Sequence, residues 1–172
     1  MTNVEVKCRL ADRAAVEVRL PAIGARRAWT RRQRDTFFAV PGRWLKLREE
    51  TGAAACLIAY ARSVDDAGPR ESEFERRRLD DAAAWLRLLG HVLPVDLVVE
   101  KERTLWLHGH TRIHLDRVDG LGDYVELETA VVGITRDEAD REARALVGAL
   151  GLDAADFLAR PYRDLLAAER RT

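Results

Sequence analysis

The stretch N-V-E-V-K-C-R-L, residues 3–10, alternates without a break. Val4, Val6, Cys8 and Leu10 fall on one side, and Asn3, Glu5, Lys7 and Arg9 on the other. Successive side chains of a β-strand point to opposite faces, so this stretch predicts a strand with one apolar and one charged face. Four later stretches repeat the pattern. Lys46 and Arg48 share a face in residues 43–49, and Lys101 and Arg103 share one in residues 99–107. Arg112, His114 and Asp116 lie together in residues 111–116. Glu126 and Glu128 face away from Val125 and Leu127. A fold must find apolar partners for five such strands and a place for their charges.

Other runs complete the outline. Strands are predicted at about 28–40, 55–62, 71–79, 95–107, 111–118 and 124–131. The run 63–70, with Asp-Asp-Ala-Gly-Pro, predicts a mobile loop. Asp12 caps a short helix that ends near residues 21–24, and Asp80 or Asp81 starts an Ala/Leu-rich helix that stops at Gly90. Thr135-Arg136-Asp137-Glu138 is a capping box that opens a helix to about Leu150. A last helical segment, 154–168, is interrupted at Pro161. About eight strands joined mostly by hairpins, with no repeat or linker, predict one domain over residues 1–172.

An antiparallel sheet with its charged face in water would show the same alternation. The helices, however, need apolar surface to pack on. A sheet with helices outside and charges inside can close into a barrel, which removes its edges. The expected class is therefore α+β, an eight-stranded antiparallel β-barrel with helices on the outside. Such an interior is stable only if its charges pair or hold something.

The hairpin D-R-V-D-G-L-G-D-Y-V-E-L-E, residues 116–128, poses that problem acutely, with five acids and one base. A turn centred near Leu121 sets Asp116 opposite Glu126 and His114 opposite Glu128. Like charges directly across a ladder are destabilising. Residues 26–48 carry the reverse bias, eight bases and one acid, Asp35. Over the whole chain Lys+Arg and Asp+Glu balance at 29 each, which argues against a general nucleic-acid or membrane-surface binder. Cys8 and Cys56 make no zinc spacing and read as buried, reduced thiols. With no apolar leader and no run of 18 apolar residues, a cytoplasmic protein is expected.

Five motifs in order resemble the CYTH family, the triphosphate tunnel metalloenzymes, and especially its class IV adenylate cyclase-like branch. They are N-V-E-V-K, R-D-T-F-F, L-K-L-R-E, V-E-K-E-R-T-L-W and T-R-I-H-L-D-R-V-D-G-L-G-D-Y-V-E-L-E, within residues 3–131. The resemblance implies an eight-stranded tunnel that binds a triphosphate. Carried over by motif, the phosphate contacts are Lys7, Lys46, Arg48, Lys101, Arg103 and Arg112, with Arg62 a weaker seventh. Lys7, Arg103 and Arg112 also take the catalytic role of stabilising developing charge. Glu5, Glu126 and Glu128 would hold Mg²⁺ or Mn²⁺, and Asp116 would either ligate the metal or brace Arg112 or another basic group.

The implied reaction is cyclisation to a cyclic nucleotide and pyrophosphate, or hydrolysis that releases phosphate. The alternatives are a polyphosphate or phospho-metabolite binding module and a metabolic enzyme reusing the tunnel. The partner is a triphosphate-containing small molecule, not nucleic acid or a membrane, and the protein a monomer or homodimer. The chain departs from the family's Glu-x-Glu-x-Lys at Asn3, which places a second metal in question, and has Lys46 where arginine is common. His114 reads as a hydrogen-bonded wall residue, or else as a phosphate contact or an acid. His108 and His110 read as solvent-facing, and Trp29, Trp44, Trp85 and Trp106 as packing residues. Tyr60 could orient a nucleophile near Lys7.

Overall fold

The computed structural model describes residues 3–61 and 74–170. Eight strands form along the chain: β1 (Asn3–Arg9), β2 (Arg26–Val40), β3 (Arg43–Glu50), β4 (Cys56–Ala61), β5 (Phe74–Arg78), β6 (Val95–His108), β7 (Thr111–Val118) and β8 (Gly122–Ala130). Four helices join them: α1 (Arg13–Ala22), α2 (Ala82–Val92), α3 (Arg136–Leu150) and α4 (Tyr162–Glu169), with one 3₁₀ turn at Ala154–Asp156. The strands follow the order β1-β8-β7-β6-β2-β3-β4-β5. This is the expected eight-stranded α+β architecture, although among the described residues β1 and β5 stand at the two ends of the strand order. Arg62 and the loop 63–70 lie outside the described residues. Of the strand expected at 71–79, the described part is β5.

The backbone groups into two compact units, Met1–Thr30 with Glu102–Pro161 and Arg31–Lys101 with Tyr162–Thr172. In the first unit, β1, β7 and β8 turn their apolar faces toward α1 and α3. Cys8, Ile113, Leu115, Val125 and Leu127 meet Val16 and Leu20 of α1 and Leu146 and Leu150 of α3, all nearly inaccessible to solvent. Burial of each such aliphatic side chain contributes about 1.5–3 kcal/mol, so the alternation fixes which face the helices cover. Asp12 accepts a hydrogen bond from the Ala15 amide to start α1. Both halves of the expected capping box are present at Thr135 and Glu138. Beyond the 3₁₀ turn, the Leu158 amide donates to the Lys7 carbonyl at 2.9 Å.

In the second unit the core gathers Phe38, Leu47 and Leu79 with Leu86 and Leu89 of α2. This helix continues past Gly90 to Val92, two residues beyond the expected stop. An isolated glycine costs only about 1 kcal/mol in a helix. Both cysteines are free and buried, as expected of small apolar thiols.

The register of the β7–β8 hairpin corrects the expected one by two residues. Asp116 faces Tyr124, His114 faces Glu126 and Arg112 faces Glu128. The turn centres on Gly120, whose φ of 81° suits a residue without a β-carbon. The feared opposition of Asp116 and Glu126 does not arise. Arg112 sits across from Glu128 instead, an opposite-charge pair of the kind that stabilises a ladder.

Candidate active site

Pairing β1 with β8 and β8 with β7 lays the charged residues of the first unit out in three cross-strand rows. The first is Glu5, Glu128 and Arg112; the second Lys7, Glu126 and His114; the third Arg9, Tyr124 and Asp116. Each row mixes signs, and the side chains use it. Lys7 Nζ lies 3.1 Å from Glu126 Oε1. The Arg112 guanidinium donates through Nε and Nη2 to Glu128 Oε2. Arg103 donates through Nε and Nη2 to the two oxygens of Asp116, each at 2.6 Å, and Nη2 also reaches Glu126 Oε2 at 2.8 Å. Asp116 is fully buried, and both of its oxygens accept from Arg103. Arg9 donates to the buried Tyr124 hydroxyl at 3.0 Å.

These partners govern ionisation. Burial alone would raise the Glu126 carboxyl, but Lys7 and Arg103 hold it well below the usual carboxylate range. Glu5 goes the other way. Burial, reinforced by the negative charges of Glu126 and Glu128, pushes it up to about 7. Burial, reinforced by Arg103, lowers His114 and keeps its ring neutral. His114 is 5% exposed. Its Nδ1 lies 3.6 Å from Glu126 Oε2 and 3.6 Å from Glu128 Oε1, too far for a hydrogen bond to either. That buried nitrogen has no hydrogen-bond partner among the described residues.

One atom from each of His114, Glu126 and Glu128 lies within 4.8 Å of the others. A divalent ion fits there. Its positive charge would meet two carboxylates and an orphaned lone pair. Glu5, expected to join Glu126 and Glu128, stands across from Glu128 in the first row.

The second unit carries a simpler charge set. Asp35 on β2 faces Arg48 on β3, and Phe37 faces Lys46. Arg48 grips both Asp35 oxygens, at 2.6 and 2.7 Å, and Lys46 Nζ lies 2.8 Å from Oδ2. Burial would raise Asp35, yet Lys46, Arg48 and Lys101 draw it far below the carboxylate range. Lys101, 3% exposed, stands over the Tyr162 ring at 4.9 Å. Lys46, Arg48 and Lys101 all act on the Asp35 carboxylate, and a guanidinium fork suits phosphate oxygens. A cleft of about 600 Å³ in the same unit is lined by the β2–β3 hairpin, Asp96 and Arg163, and includes none of the expected site residues.

Sequence reading missed the parts played by Asp35 and Tyr124. The signal was present in the alternation, since Asp35 keeps step with Phe37 and Gln33, and Tyr124 with Glu126. His110 is exposed and pairs with Glu142, whereas the His108 Nδ1 is buried, contrary to its expected solvent exposure. Trp44 packs edge-on to Phe37 as a packing residue should, but Trp85 is 39% exposed. The Arg62 and Tyr60 side chains lie outside the described residues. Among the described residues no helix is long and apolar enough to cross a membrane.

Comparison with known families matches the CYTH domain over residues 1–162. The chain belongs to the CYTH domain family. Adenylate cyclase CyaB of Aeromonas hydrophila is 27% identical, over 95% of this CYTH chain and 87% of its own. The PH1012 protein of Pyrococcus horikoshii OT3 has the same fold, with a TM-score of 0.84 at 20% identity over 95% of this chain and 99% of its own. So does HpAC1 from Hippeastrum, an adenylyl cyclase candidate described as having a dominant triphosphatase activity. Its TM-score is 0.61 at 15% identity, over 88% of this chain and 89% of its own.

Proposed function

We propose that this CYTH protein is a metal-dependent enzyme acting on a triphosphate, with cyclisation of a nucleoside triphosphate as its reaction. The observation that carries the reading is the convergence of the buried, unpartnered His114 Nδ1 with Glu126 and Glu128, on a strand face that also presents Lys7, Arg103 and Arg112. Family membership supports a triphosphate as substrate, and the CyaB relative supports cyclisation. When bound, a Mg²⁺ or Mn²⁺ ion would polarise a phosphoryl oxygen and neutralise charge. Glu126 and Glu128 would hold it, with Glu5 beside them.

Lys7, Arg103 and Arg112 would bind phosphate oxygens and stabilise the charge that develops in transfer. Arg103 is pre-positioned for this because Asp116 fixes its fork. Lys46, Arg48 and Lys101 are assigned to further phosphate contacts. In cyclisation the ribose 3′-oxygen bonds to the α-phosphorus, the α–β bridging bond breaks, pyrophosphate leaves and the hydroxyl proton passes to water. A second reading is hydrolysis, in which water attacks and phosphate is released. HpAC1, on the same fold, motivates it.

Incubation with ATP, GTP and tripolyphosphate in Mg²⁺ or Mn²⁺, with every product resolved by chromatography, tests both. Cyclic nucleotide with equimolar pyrophosphate is the expected result, and orthophosphate alone would replace cyclisation by hydrolysis. Arg112→Ala, at a side chain that is 56% exposed and safe for folding, should lower turnover by roughly 100-fold. Binding without any product and without any need for metal would overturn the enzyme reading in favour of a binding module.

A further inference from the structure

We infer that His114 supplies a nitrogen ligand, through Nδ1, to the cation held by Glu126 and Glu128, and that the site therefore selects a first-row transition ion such as Mn²⁺ or Co²⁺ over Mg²⁺. The inference deepens the proposed function and rests on its reading of the two glutamates as a cation site.

Three observations point to it. His114 is 5% exposed, yet its inward nitrogen makes no hydrogen bond among the described residues, although leaving such an atom unpaired costs about 1–3 kcal/mol. That nitrogen is equidistant, at 3.6 Å, from one oxygen of each glutamate. Ligands in adjacent positions around an ion with bonds of about 2.1 Å stand roughly 3 Å apart, so a short inward movement would bring all three to one centre. Finally, the position across the first strand where a further carboxylate would add hard oxygen is Asn3, paired with Ala130 at the end of β1.

The donor chemistry then decides the metal. Mg²⁺ prefers oxygen and keeps much of its water, whereas a site that joins a nitrogen to carboxylates binds first-row ions with affinity rising from Mn²⁺ to Co²⁺. A neutral nitrogen with two carboxylates also matches a double positive charge without excess. The register holds His114 in this role: it stands directly across from Glu126, while Lys7 approaches Glu126 from the other side. Lys7 pairs with Glu126 Oε1 and Arg112 with Glu128 Oε2, the oxygens other than those nearest His114, while Arg103 Nη2 shares Glu126 Oε2 with it.

The test loads the full chain with Mn²⁺ and records electron spin echo modulation, beside calorimetric titrations with Mn²⁺, Co²⁺ and Mg²⁺. Nitrogen modulation is expected in the natural protein, shifting when its histidines carry ¹⁵N, and absent in His114→Gln. That variant should bind Mn²⁺ more weakly by at least about tenfold, with Mg²⁺ little changed. If His114→Gln does not fold, the single variants of His91, His108 and His110 decide, because each should keep the modulation. Mn²⁺ bound with no nitrogen signal, or with equal affinity in His114→Gln, would overturn the histidine ligand and leave the carboxylate site standing. A natural protein that binds none of the three ions, or binds them equally after Glu126→Gln, would overturn both that ligand and the cation site beneath it.

Discussion

Asp35 does in the second unit what Asp116 does in the first: it spends a buried carboxylate on holding basic side chains at fixed positions. Its ionised form is bound by Arg48 and Lys46, so its pKa lies below that of an unfolded chain. A depressed carboxyl contributes stability above the unfolded value, about 4, and that contribution is lost as pH falls. Asp35→Asn should therefore destabilise the protein by about 3 kcal/mol at pH 7, because it leaves two cations without their buried partner. The gap between natural protein and variant should narrow by about 1.4 kcal/mol for each unit below pH 4. Urea unfolding across that range measures it, and a gap independent of pH would show that Asp35 is not ionised in the fold. In the sequence Asp35 stands out only as the one acid of residues 26–48 and by its place in R-D-T-F-F. The alternation states its face, but the number of cations closing on it depends on β3 arriving in one particular register.

At the scale of elements, the periods of the sequence were easily read and the registers were not. The strand faces and the three side-chain helix caps, at Asp12, Asp81 and Thr135, each follow from residues within one turn or one pleat. The β7–β8 register depended on where a Gly-rich loop turns, and moving that centre by one residue changes every cross-strand partner by two. Such a shift preserves the faces, which is why the charged face was recognised while its pairs were misassigned. The β6–β7 turn offers a test of how tightly elements are tied. Gly109 has a φ of 51°, and a β-carbon there would lie 2.8 Å from Glu142 Oε1 on α3. That oxygen already accepts from the His110 amide at 2.9 Å and the Thr111 hydroxyl at 2.7 Å, so it cannot yield freely. Gly109→Ala should cost about 2 kcal/mol, most of it the left-handed backbone. Thermal unfolding would show it, and a change within a few tenths of a kcal/mol would mean that the turn relaxes without cost.

For the molecule as a whole, a zero net charge conceals a division of labour. The first unit sets Glu126 and Glu128 among Lys7, Arg103 and Arg112 around an imidazole, and the second sets Lys46 and Arg48 around Asp35. Composition could not reveal these groupings, since only strand pairing brings their members together. The two end strands of the described order have a further consequence. A strand at the border of a sheet offers unpaired amides and carbonyls to any strand that drifts past. At β1 the chain covers its own border, with Leu158 bonded to Lys7 and a bridge between Cys8 and Phe157. Among the described residues β5 pairs with β4 alone, and there Arg76, Arg77 and Arg78 stand exposed in succession. Two copies approaching β5 to β5 would bring like charges together. Replacing the three arginines with threonine, a better strand former without charge, should raise light scattering at high concentration, while Arg117→Thr should not. The arginines of β5 would then be what keeps the protein dispersed in a crowded solution.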